Sequence, residues 1–321
     1  MTQPRVAHIG CGYWGKNLAR NFAELGVLEA VVDGNPDTAR AMAEVTGARV
    51  MSFDDVLADD AITAVSFATP AETHFVLALK ALEAGKHVYV EKPLALSPHD
   101  AEALIAAAKR FDRRLMVGHL LQYHPVFMEM KARVAAGDIG QLTYVYSNRM
   151  SLGKFRTEEN VLWSFAPHDV SMLLSLAGQE PVDVSAQGAV VVTPGVEDWV
   201  TLQLGFANGL KGHIQTSWLH PFKEQRLVAI GTQGMLVFED SAPQWEDKLK
   251  IYRHVIDTSG VAPVPKAAEA ERITVEKSEP LRNECQHFLD CVANGATPRT
   301  DGVDGLAVLN VLRRAAACLS A

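Results

Sequence analysis

Residues 6–15 read VAHIGCGYWG, a short apolar run that leads into three glycines spaced as GxGxxG. A helix-like segment follows at residues 16–25, and a second apolar run at residues 28–32 ends on Asp33. Strand, glycine turn, helix, strand and acid in this order are typical of the first half of a dinucleotide-binding fold. The opening of the chain therefore predicts a strand–turn–helix cradle for a dinucleotide.

Each glycine of this turn has a separate task in such a fold. Gly10 permits the tight turn, Gly12 lets a pyrophosphate approach the backbone, and Gly15 lets the helix pack close to the strand. The helix N-terminus offers N–H groups and a partial positive charge to the phosphates. Tyr13 and Trp14 belong to the same turn and are predicted to line the cofactor with it.

Asp33 lies eighteen residues after Gly15, where a carboxylate accepts hydrogen bonds from the ribose hydroxyls of adenosine. The same negative charge repels the 2′-phosphate that distinguishes NADP from NAD. The predicted cofactor is therefore NAD.

Length and composition predict a soluble protein with more than one domain. The chain has 321 residues, of which 48% are hydrophobic and 21% are charged, and its formal net charge is −8. A chain of this length favours two domains. The acidic balance argues against general binding to nucleic acid or membranes, and no apolar run reaches the roughly 18 residues of a spanning helix. Because a strand begins almost at the N-terminus, we expect no secretory signal and a cytoplasmic protein.

Residues that could form disulfides or hold a metal are scattered. The sequence contains four cysteines: Cys11, Cys285, Cys291 and Cys318. They form no CxxC pair, so neither a disulfide framework nor a zinc ribbon is predicted. His119 and His124 are five residues apart, but no neighbouring carboxylate or cysteine completes a ligand set. We therefore expect no metal.

The pattern of hydrophobic residues changes near residue 121. Over residues 1–121, apolar runs alternate with helical patterns, which predicts a Rossmann domain with a doubly wound parallel sheet. Over residues 122–321, β-rich runs dominate and predict a substrate-binding α+β domain with an open, mostly antiparallel sheet. The Pro- and Ala-rich residues 261–270 are predicted to form an exposed loop. The predicted fold class is thus α/β with two domains.

Lys92 is the first candidate for chemistry. It follows the apolar run 87–90 within Glu91-Lys92-Pro93, and ligands of open α/β sheets lie beyond the carboxyl ends of the strands. A lysine that is partly desolvated beside the cationic nicotinamide ring has a lowered pKa and can act as a base. Pro93 permits a cis peptide bond that would fix how Lys92 points. The alternative is a solvated lysine in a loop.

His168 is the second candidate. The segment Ala166–Asp169 is predicted to begin a helix, with Pro167 in its first turn. An imidazole near a helix start is poorly placed to hold a permanent positive charge, so a neutral His168 could shuttle the proton of a substrate hydroxyl. The alternative is a histidine whose ring is satisfied by the backbone. Asp169 is expected on a different face of the helix.

A polar and cationic group precedes this helix: Asn148, Arg149, Lys154, Arg156 and Trp163. Three cations within eight positions stand out in an acidic chain. A polyanionic substrate, such as a pyrophosphate-linked sugar, would explain them. The alternative is an ordinary solvated loop.

Taken together, these features resemble the Gfo/Idh/MocA family, the glucose–fructose oxidoreductase and inositol dehydrogenase group. The likeness covers nearly the whole chain and depends on these segments: Gly10–Gly15, Ala68-Thr69-Pro70 with His74, Glu91-Lys92-Pro93, Gly118-His119, Ala166–Asp169 and Thr300-Asp301-Gly302. The resemblance implies an NAD(P)-binding Rossmann domain and a second domain whose open sheet often forms homodimers or homotetramers. It also implies that Lys92 and His168 are the acid–base pair facing a sugar hydroxyl.

The resemblance extends the predicted site beyond the glycine turn and Asp33. For the cofactor it implies Thr69, Pro70, His74, Glu91, Lys92, His119 and Trp163. For the substrate, together with the polar and cationic group, it implies Lys92, Tyr123, Asn148, Arg149, Lys154, Arg156, Ser164 and His168.

Within the family, the chain is most similar to bacterial nucleotide-sugar 3-dehydrogenases, in segments 12–18, 163–168 and 279–282. Such enzymes make a 3-keto sugar for an aminotransferase, which supplies 2,3-diamino sugars for lipid A or O-antigen. We therefore expect NAD-dependent oxidation at C3 of a UDP-sugar, above all UDP-N-acetylglucosamine. The alternatives are a free-sugar or inositol dehydrogenase and a non-catalytic NAD-binding sensor. One departure is Ser164, since many relatives have an aspartate four residues before the catalytic histidine.

Overall fold

The computed structural model describes residues 3–153 and 155–319. These residues form two compact units. The main sheet of the first unit is parallel, and that of the second is mostly antiparallel. The predicted fold class, a Rossmann domain with an α+β domain, is confirmed. In the described part of the chain, we find no helix with the length and apolar character needed to span a membrane.

The first unit is a doubly wound sheet flanked by helices. Its strands are β1 (Val6–Ile9), β2 (Leu28–Val32), β3 (Arg49–Val50), β4 (Ala64–Phe67), β5 (His87–Glu91) and β6 (Leu115–Gly118). Its helices are α1 (Gly15–Glu24), α2 (Pro36–Thr46), α3 (Phe53–Ala58), α4 (Ala71–Glu83) and α5 (Pro98–Arg110). The spatial order β3-β2-β1-β4-β5-β6 changes direction between β1 and β4, and ligands of such sheets bind at this point, beyond the carboxyl ends of the strands.

The chain passes between the two units more than once. The first unit runs to Tyr123 and also includes Glu279–Leu309, whereas the second comprises His124–Ser278 and the chain from Asn310 onward. The first division lies at residue 123 instead of 121. The larger difference is that residues 279–309, which the prediction assigns to the second domain, belong to the first unit.

Residues 279–309 join the first unit because of their apolar side chains. They contain a helix at Pro280–Asn294 and the start of another at Gly302–Leu319, here α8 and α9. The ring of Phe288 on α8 lies edge-on to Phe22 and Tyr89, with centroids 6.5 and 5.8 Å apart. Burial of one such ring stabilises a fold by about 1.5–3 kcal/mol, so the helix completes the Rossmann core.

The glycine turn joins β1 to α1 through a close approach of two backbone segments. Gly10 has φ +94°, a conformation that favours glycine. A Cβ on Gly15 would lie 1.7 Å from the Gly10 carbonyl oxygen. The His8 ring fixes that carbonyl, because Nε2–H donates to it at 2.9 Å while the Ser66 hydroxyl donates to Nδ1 at 2.7 Å. Burial lowers the pKa of His8 to about 4, which keeps this neutral tautomer in place.

The second unit packs helices on a mixed sheet. Its helices are α6 (Pro125–Ala136) and α7 (Val161–Ala177). Its strands are β7 (Leu142–Leu152), β8 (Asp183–Ala189), β9 (Trp199–Gly205), β10 (Lys211–Ser217), β11 (Leu219–Gly231), β12 (Gly234–Glu239), β13 (Leu249–Tyr252), β14 (Val255–Asp257), β15 (Val264–Lys266) and β16 (Ala270–Arg272). The sheet order is β16-β13-β12-β11-β7-β10-β9-β8, in which β7 and β10 are parallel. The predicted loop at residues 261–270 is exposed but contains β15, which pairs with β14.

Helix α7 begins earlier than the sequence predicts. The side-chain oxygen of Asn160 accepts a hydrogen bond from the Trp163 N–H at 3.3 Å, so the helix begins at Val161. Pro167 therefore lies inside the helix, not in its first turn, and it cannot donate to the Trp163 carbonyl. The prediction is wrong because the preference of proline for a first turn is overruled by the cap at Asn160, about two turns before Pro167.

We expect Gly15→Ala to destabilise the protein by at least about 1–3 kcal/mol, because its Cβ would overlap the Gly10 carbonyl oxygen. Gly12→Ala is the matched control, since a Cβ at Gly12 meets nothing within 4 Å. Urea unfolding of both variants and the wild type measures the difference. Equal free energies of unfolding for the two variants would contradict this account of the turn.

Candidate active site

The carboxyl edge of the first-unit sheet carries most of the predicted cofactor residues. Gly10 follows β1, Thr69 and Pro70 follow β4, Lys92 follows β5, and His119 follows β6. The four strands are parallel neighbours in the order β1-β4-β5-β6. The structure therefore brings these residues to one edge of the sheet, here called the nucleotide edge.

Two features of the nucleotide edge fit NAD. Gly12 is exposed and the space where its Cβ would stand is open, as the approach of a pyrophosphate requires. Asp33 accepts hydrogen bonds from the N–H groups of Cys11 at 2.7 Å and Asn35 at 2.8 Å. A carboxylate has about four acceptor sites, so Asp33 can fix the turn and still accept from ribose hydroxyls.

Glu91 connects the glycine turn to β5. Its buried carboxylate accepts a hydrogen bond from the Trp14 indole at 2.6 Å and another from the Tyr89 hydroxyl at 3.2 Å. Burial raises the pKa of Glu91, while Trp14, Lys92 and Tyr89 oppose the increase. A Cβ on Gly118 would lie 2.8 Å from the Tyr89 hydroxyl and 2.9 Å from the Glu91 carboxyl carbon. Glycine at position 118 thus leaves room for this carboxylate. Among the residues of the turn, Trp14 is therefore held, whereas the side chain of Tyr13 is 89% exposed.

Lys92 and His119 share one environment at this edge. Lys92 is half-buried, and its peptide bond to Pro93 is cis. His119 is buried, and neither ring nitrogen has a hydrogen-bond partner among the described residues. Burial and the positive charge of Lys92 lower the pKa of His119 to about 3. His119 is therefore a neutral ring within the field of the Lys92 ammonium.

His74 connects the backbone segments that follow β4 and β5. Its Nδ1 lies 2.7 Å from the Pro93 carbonyl oxygen and its Nε2 lies 2.9 Å from the Thr69 carbonyl oxygen. Burial lowers the pKa of His74, and the two carbonyls oppose this decrease. The ring is 1% exposed. The buried ring therefore supports the backbone beside Lys92, and its predicted place in the cofactor site stays a prediction.

Helix α7 carries the predicted residues of the second unit. Trp163 and His168 are half-buried and Ser164 is buried. Ser164 and His168 are four residues apart, so they lie on one face of the helix. Asp169 points elsewhere, into the core of the unit, where it accepts a hydrogen bond from the Ser147 hydroxyl at 2.6 Å.

Arg149, a predicted substrate residue, forms an ion pair with Asp169. Its Nε donates to the carboxylate at 2.5 Å and its Nη2 donates at 3.2 Å. Both side chains are buried, so the pair joins β7 to α7 within the second unit. The two-bond contact with Asp169 occupies the Arg149 guanidinium, and its role toward a substrate stays a prediction.

Tyr123, another predicted substrate residue, lies in the core of the first unit, where it is 1% exposed. Its hydroxyl lies 2.9 Å from the Thr300 hydroxyl, and the Arg299 guanidinium lies 5.0 Å from the ring centroid. The side chain is therefore enclosed by its own unit, and its role toward a substrate stays a prediction.

The other predicted substrate residues are less buried or make fewer contacts. Asn148 is half-buried and donates to Glu224 at 2.9 Å. Arg156 is exposed and pairs with Glu159 at 3.2 Å. Lys154 lies outside the described residues. Over the ranges 3–153 and 155–319, the structure contains no group of three or more His, Cys, Asp or Glu side chains that could hold a metal.

Sequence reasoning assigns no supporting contact to four residues around the predicted site: His8, Tyr89, Gly118 and Asp169. His8 and Tyr89 interrupt apolar parallel strands that are buried on both faces. Polar side chains in such strands require buried partners. This interruption is the signal that could have identified the first two.

We expect Arg149→Ala to lower the free energy of unfolding by about 3–5 kcal/mol, because it leaves the buried Asp169 without its partner. Arg156→Ala is the matched control at an exposed pair, where we expect a change of less than about 1 kcal/mol. Denaturant titration of both variants measures the two changes. A small and equal effect of both substitutions would contradict the structural role of Arg149.

Family models and related proteins agree with this geometry. Residues 4–119 match the model of the oxidoreductase family with an NAD-binding Rossmann fold, and residues 127–237 match the GFO/IDH/MocA C-terminal domain. The UDP-N-acetylglucosamine 3-dehydrogenase of Acidithiobacillus ferrooxidans is 30% identical over 312 residues, 96% of this chain and 95% of that protein. The NAD(+)-dependent scyllo-inositol 2-dehydrogenase of Bacillus subtilis is 28% identical over 325 residues, 96% of this chain and 92% of that protein.

Solved structures show the same two-domain fold. The Acidithiobacillus ferrooxidans enzyme superposes with a TM-score of 0.87 at 28% identity, covering 99% of this chain and 98% of that one. GenD2 from gentamicin A biosynthesis, solved in complex with NAD, superposes with a TM-score of 0.83 at 25% identity, covering 100% and 95%. The predicted cofactor, NAD, is confirmed by the family of the first domain. On these grounds, the chain belongs to the Gfo/Idh/MocA family of oxidoreductases.

Proposed function

We propose that this oxidoreductase uses NAD to oxidise the C3 hydroxyl of UDP-N-acetylglucosamine or of a related UDP-sugar. The observation that carries the proposal is the similarity to the UDP-N-acetylglucosamine 3-dehydrogenase of Acidithiobacillus ferrooxidans over 96% of this chain. The similarity includes the second domain as well as the cofactor domain, since the superposition covers 99% of the chain.

In this proposal Lys92 and His168 are the catalytic residues. Lys92 is half-buried directly after Glu91 at the nucleotide edge, and in this role its amine accepts the hydroxyl proton as a positioned base. His168 supplies a second titratable group that can relay this proton. NAD, when bound, accepts the hydride from the same carbon.

For NAD, the proposed contacts are the glycine turn Gly10–Gly15 with Tyr13 and Trp14, Asp33, Thr69, Pro70, Glu91, His119 and Trp163. For the sugar, Asn148 and Ser164 are the proposed contacts. Arg156 and Lys154 are the proposed cations for the diphosphate. An exposed pair such as Arg156–Glu159 contributes little to stability, so Arg156 can exchange Glu159 for a phosphate at small cost.

A dehydrogenase of inositol or of a free sugar is the second candidate. The similarity to the scyllo-inositol 2-dehydrogenase of Bacillus subtilis favours it, at 28% identity over 96% of this chain. An uncharged polyol has no use for the cations before α7. If the substrate is an inositol or a free sugar, Arg156→Ala should therefore leave the KM for that substrate unchanged.

A substrate panel distinguishes the candidates. UDP-, GDP- and dTDP-sugars, free hexoses and inositols are each incubated with the protein and NAD, and the absorbance of reduced NAD is followed. We expect reduction with UDP-N-acetylglucosamine, and we expect Arg156→Ala to raise KM for it. Reduction with inositol alone would favour the second candidate. Binding of NAD without reduction by any sugar would favour a non-catalytic sensor.

The reaction needs a consumer of its product. Formation of a 3-keto sugar by NAD is thermodynamically uphill, so the proposed partner activity is an aminotransferase that removes the ketone. The panel is therefore repeated with such an enzyme and an amino donor.

For the oligomer, we propose a homodimer or homotetramer through the second-unit sheet, where Tyr144 and Tyr146 are half-buried on the face opposite Val145.

We expect Lys92→Ala to lower kcat by about 10²–10⁴-fold, the usual contribution of a positioned base, while the Kd for NAD changes little. Lys80→Ala, at an exposed lysine on α4, is the control and should leave both quantities unchanged. Steady-state kinetics with the active sugar and calorimetric titration with NAD measure the two effects. A Lys92→Ala protein with near-normal kcat would reject this role.

A further inference from the structure

An aromatic cluster lies beside the segment that carries the proposed phosphate cations. Trp218, the residue between β10 and β11, is completely buried. The rings of Phe155 and Phe165 both lie edge-on to the Trp218 indole, with centroids 6.0 and 6.3 Å away. Phe155 directly precedes Arg156 in the chain. All of these residues belong to the second unit, and neither Phe155 nor Trp218 is among the proposed cofactor and sugar contacts.

The Trp218 indole is held in one orientation. Its N–H donates to the carboxylate of Asp198, which is also completely buried. The same carboxylate accepts hydrogen bonds from the backbone N–H groups of Val191 and Val192, both at 2.8 Å. The backbone N–H of Trp218 donates to the Asp198 carbonyl oxygen at 3.3 Å. Because the buried carboxylate has its donors, Trp218 is a fixed support for the rings packed against it.

The segment that contains Phe155 is attached to this support at both ends. At its start, the Gly153 N–H donates to the Trp218 carbonyl oxygen at 3.4 Å. At its end, the Asn160 side-chain amide donates at 2.6 Å to the carboxylate of Glu197, the residue before the carboxylate that holds the indole. The position of Phe155 relative to the start of α7 is therefore restricted by contacts on both sides.

The Phe155 ring is supported on one side and open on another. It is 40% exposed although it packs against the buried Trp218. Single exposed apolar side chains are common on protein surfaces and need no function. Phe155 differs because the exposed Arg156 follows it and Lys154 precedes it in the sequence. An aromatic ring between two basic residues offers a surface to a planar group and charge to an anion.

We propose that Phe155 stacks on the base of the nucleotide sugar, while Arg156 pairs with the diphosphate of the same molecule. The role of Phe155 rests on the proposed function, because only a nucleotide sugar brings a base to this ring. Aromatic side chains stack on every base, so Phe155 supplies affinity for a nucleoside diphosphate without distinguishing uracil from thymine or guanine. An inositol or a free sugar has no base, and its binding gains nothing from this ring.

The test measures binding of UDP, which has the base and the diphosphate but no sugar to oxidise. The titrations use protein saturated with NAD, so that the added ligand cannot occupy the cofactor site. In Phe155→Ala we expect the Kd for UDP to increase by about 5- to 100-fold, the range for loss of one base–aromatic contact. In Phe155→Tyr, which keeps a ring, we expect a Kd within about twofold of the wild-type value. Calorimetric titration gives each Kd.

Inorganic pyrophosphate separates the ring from the charge. It has the diphosphate without the base, so Phe155→Ala should bind it as the wild type does. Arg156→Ala should weaken the binding of both pyrophosphate and UDP, because it removes a partner of the phosphates. With UDP-N-acetylglucosamine as substrate, Phe155→Ala should raise KM and leave kcat near the wild-type value, the result expected for a contact made equally in the ground state and the transition state.

Phe222→Ala is the matched control, because Phe222 is another exposed phenylalanine of the second unit and its ring lies against His220, with centroids 5.5 Å apart. It should leave the Kd for UDP unchanged. A wild-type Kd for UDP in Phe155→Ala, or an equal loss of UDP and pyrophosphate binding in that variant, would overturn the role of Phe155 and leave the proposed function intact. Absence of UDP binding by the wild type, with no reduction of NAD by any UDP-sugar, would overturn both.

Discussion

The close contact between Gly15 and the Gly10 carbonyl is the constraint on which the nucleotide edge depends. A Cβ on Gly15 would lie 1.7 Å from that oxygen, which leaves no room for it. Only glycine at position 15 therefore lets α1 begin this close to β1. The carbonyl is fixed from behind by His8, and the turn is fixed from the side by Asp33. Glu91 holds it from β5, which lies beyond β4 in the sheet, through the Trp14 indole. The turn is therefore defined by side chains from three strand ends, and Lys92, one residue after Glu91, takes its position from the same frame.

The two units accommodate buried charge in different ways. In the second unit, Arg149 and Asp169 neutralise each other through two hydrogen bonds. In the first unit, the buried Glu91 carboxylate instead accepts hydrogen bonds from the Trp14 indole and the Tyr89 hydroxyl. Neither solution is a strong source of stability, because desolvation offsets most of the Coulomb energy. Both arrangements instead fix the side-chain geometry, because a buried charged group that already has its hydrogen-bond partners does not move to find others.

Much of the first unit could be predicted from the sequence, because its determinants are local. The apolar runs, the three glycines and Asp33 each require a particular backbone at their own position, and the structure has that backbone. The parts that could not be predicted depend on partners that are distant in the chain. The pairing of Arg149 could not be predicted because Asp169 lies twenty residues later on another element. The place of α8 could not be predicted because it completes a core that begins at residue 6. For α7, a local preference of Pro167 is overruled by another local signal, the cap at Asn160.

The difference between what the fold determines and what single side chains determine also applies to substrate choice within the family. Relatives named for a UDP-sugar and for an inositol both match this chain over 96% of its length, at 30% and 28% identity. The backbone alone therefore cannot separate the two chemistries, and discrimination must come from a few side chains. An inositol needs only hydroxyl partners, whereas a diphosphate also needs cations, and an uncompensated phosphate charge is costly to desolvate. With Arg149 neutralised by Asp169, the described cation that remains in the segment before α7 is Arg156. Its exposed pairing with Glu159 is the kind of contact that a phosphate can replace, so substitution of Arg156 should affect a nucleotide sugar and leave an inositol unaffected.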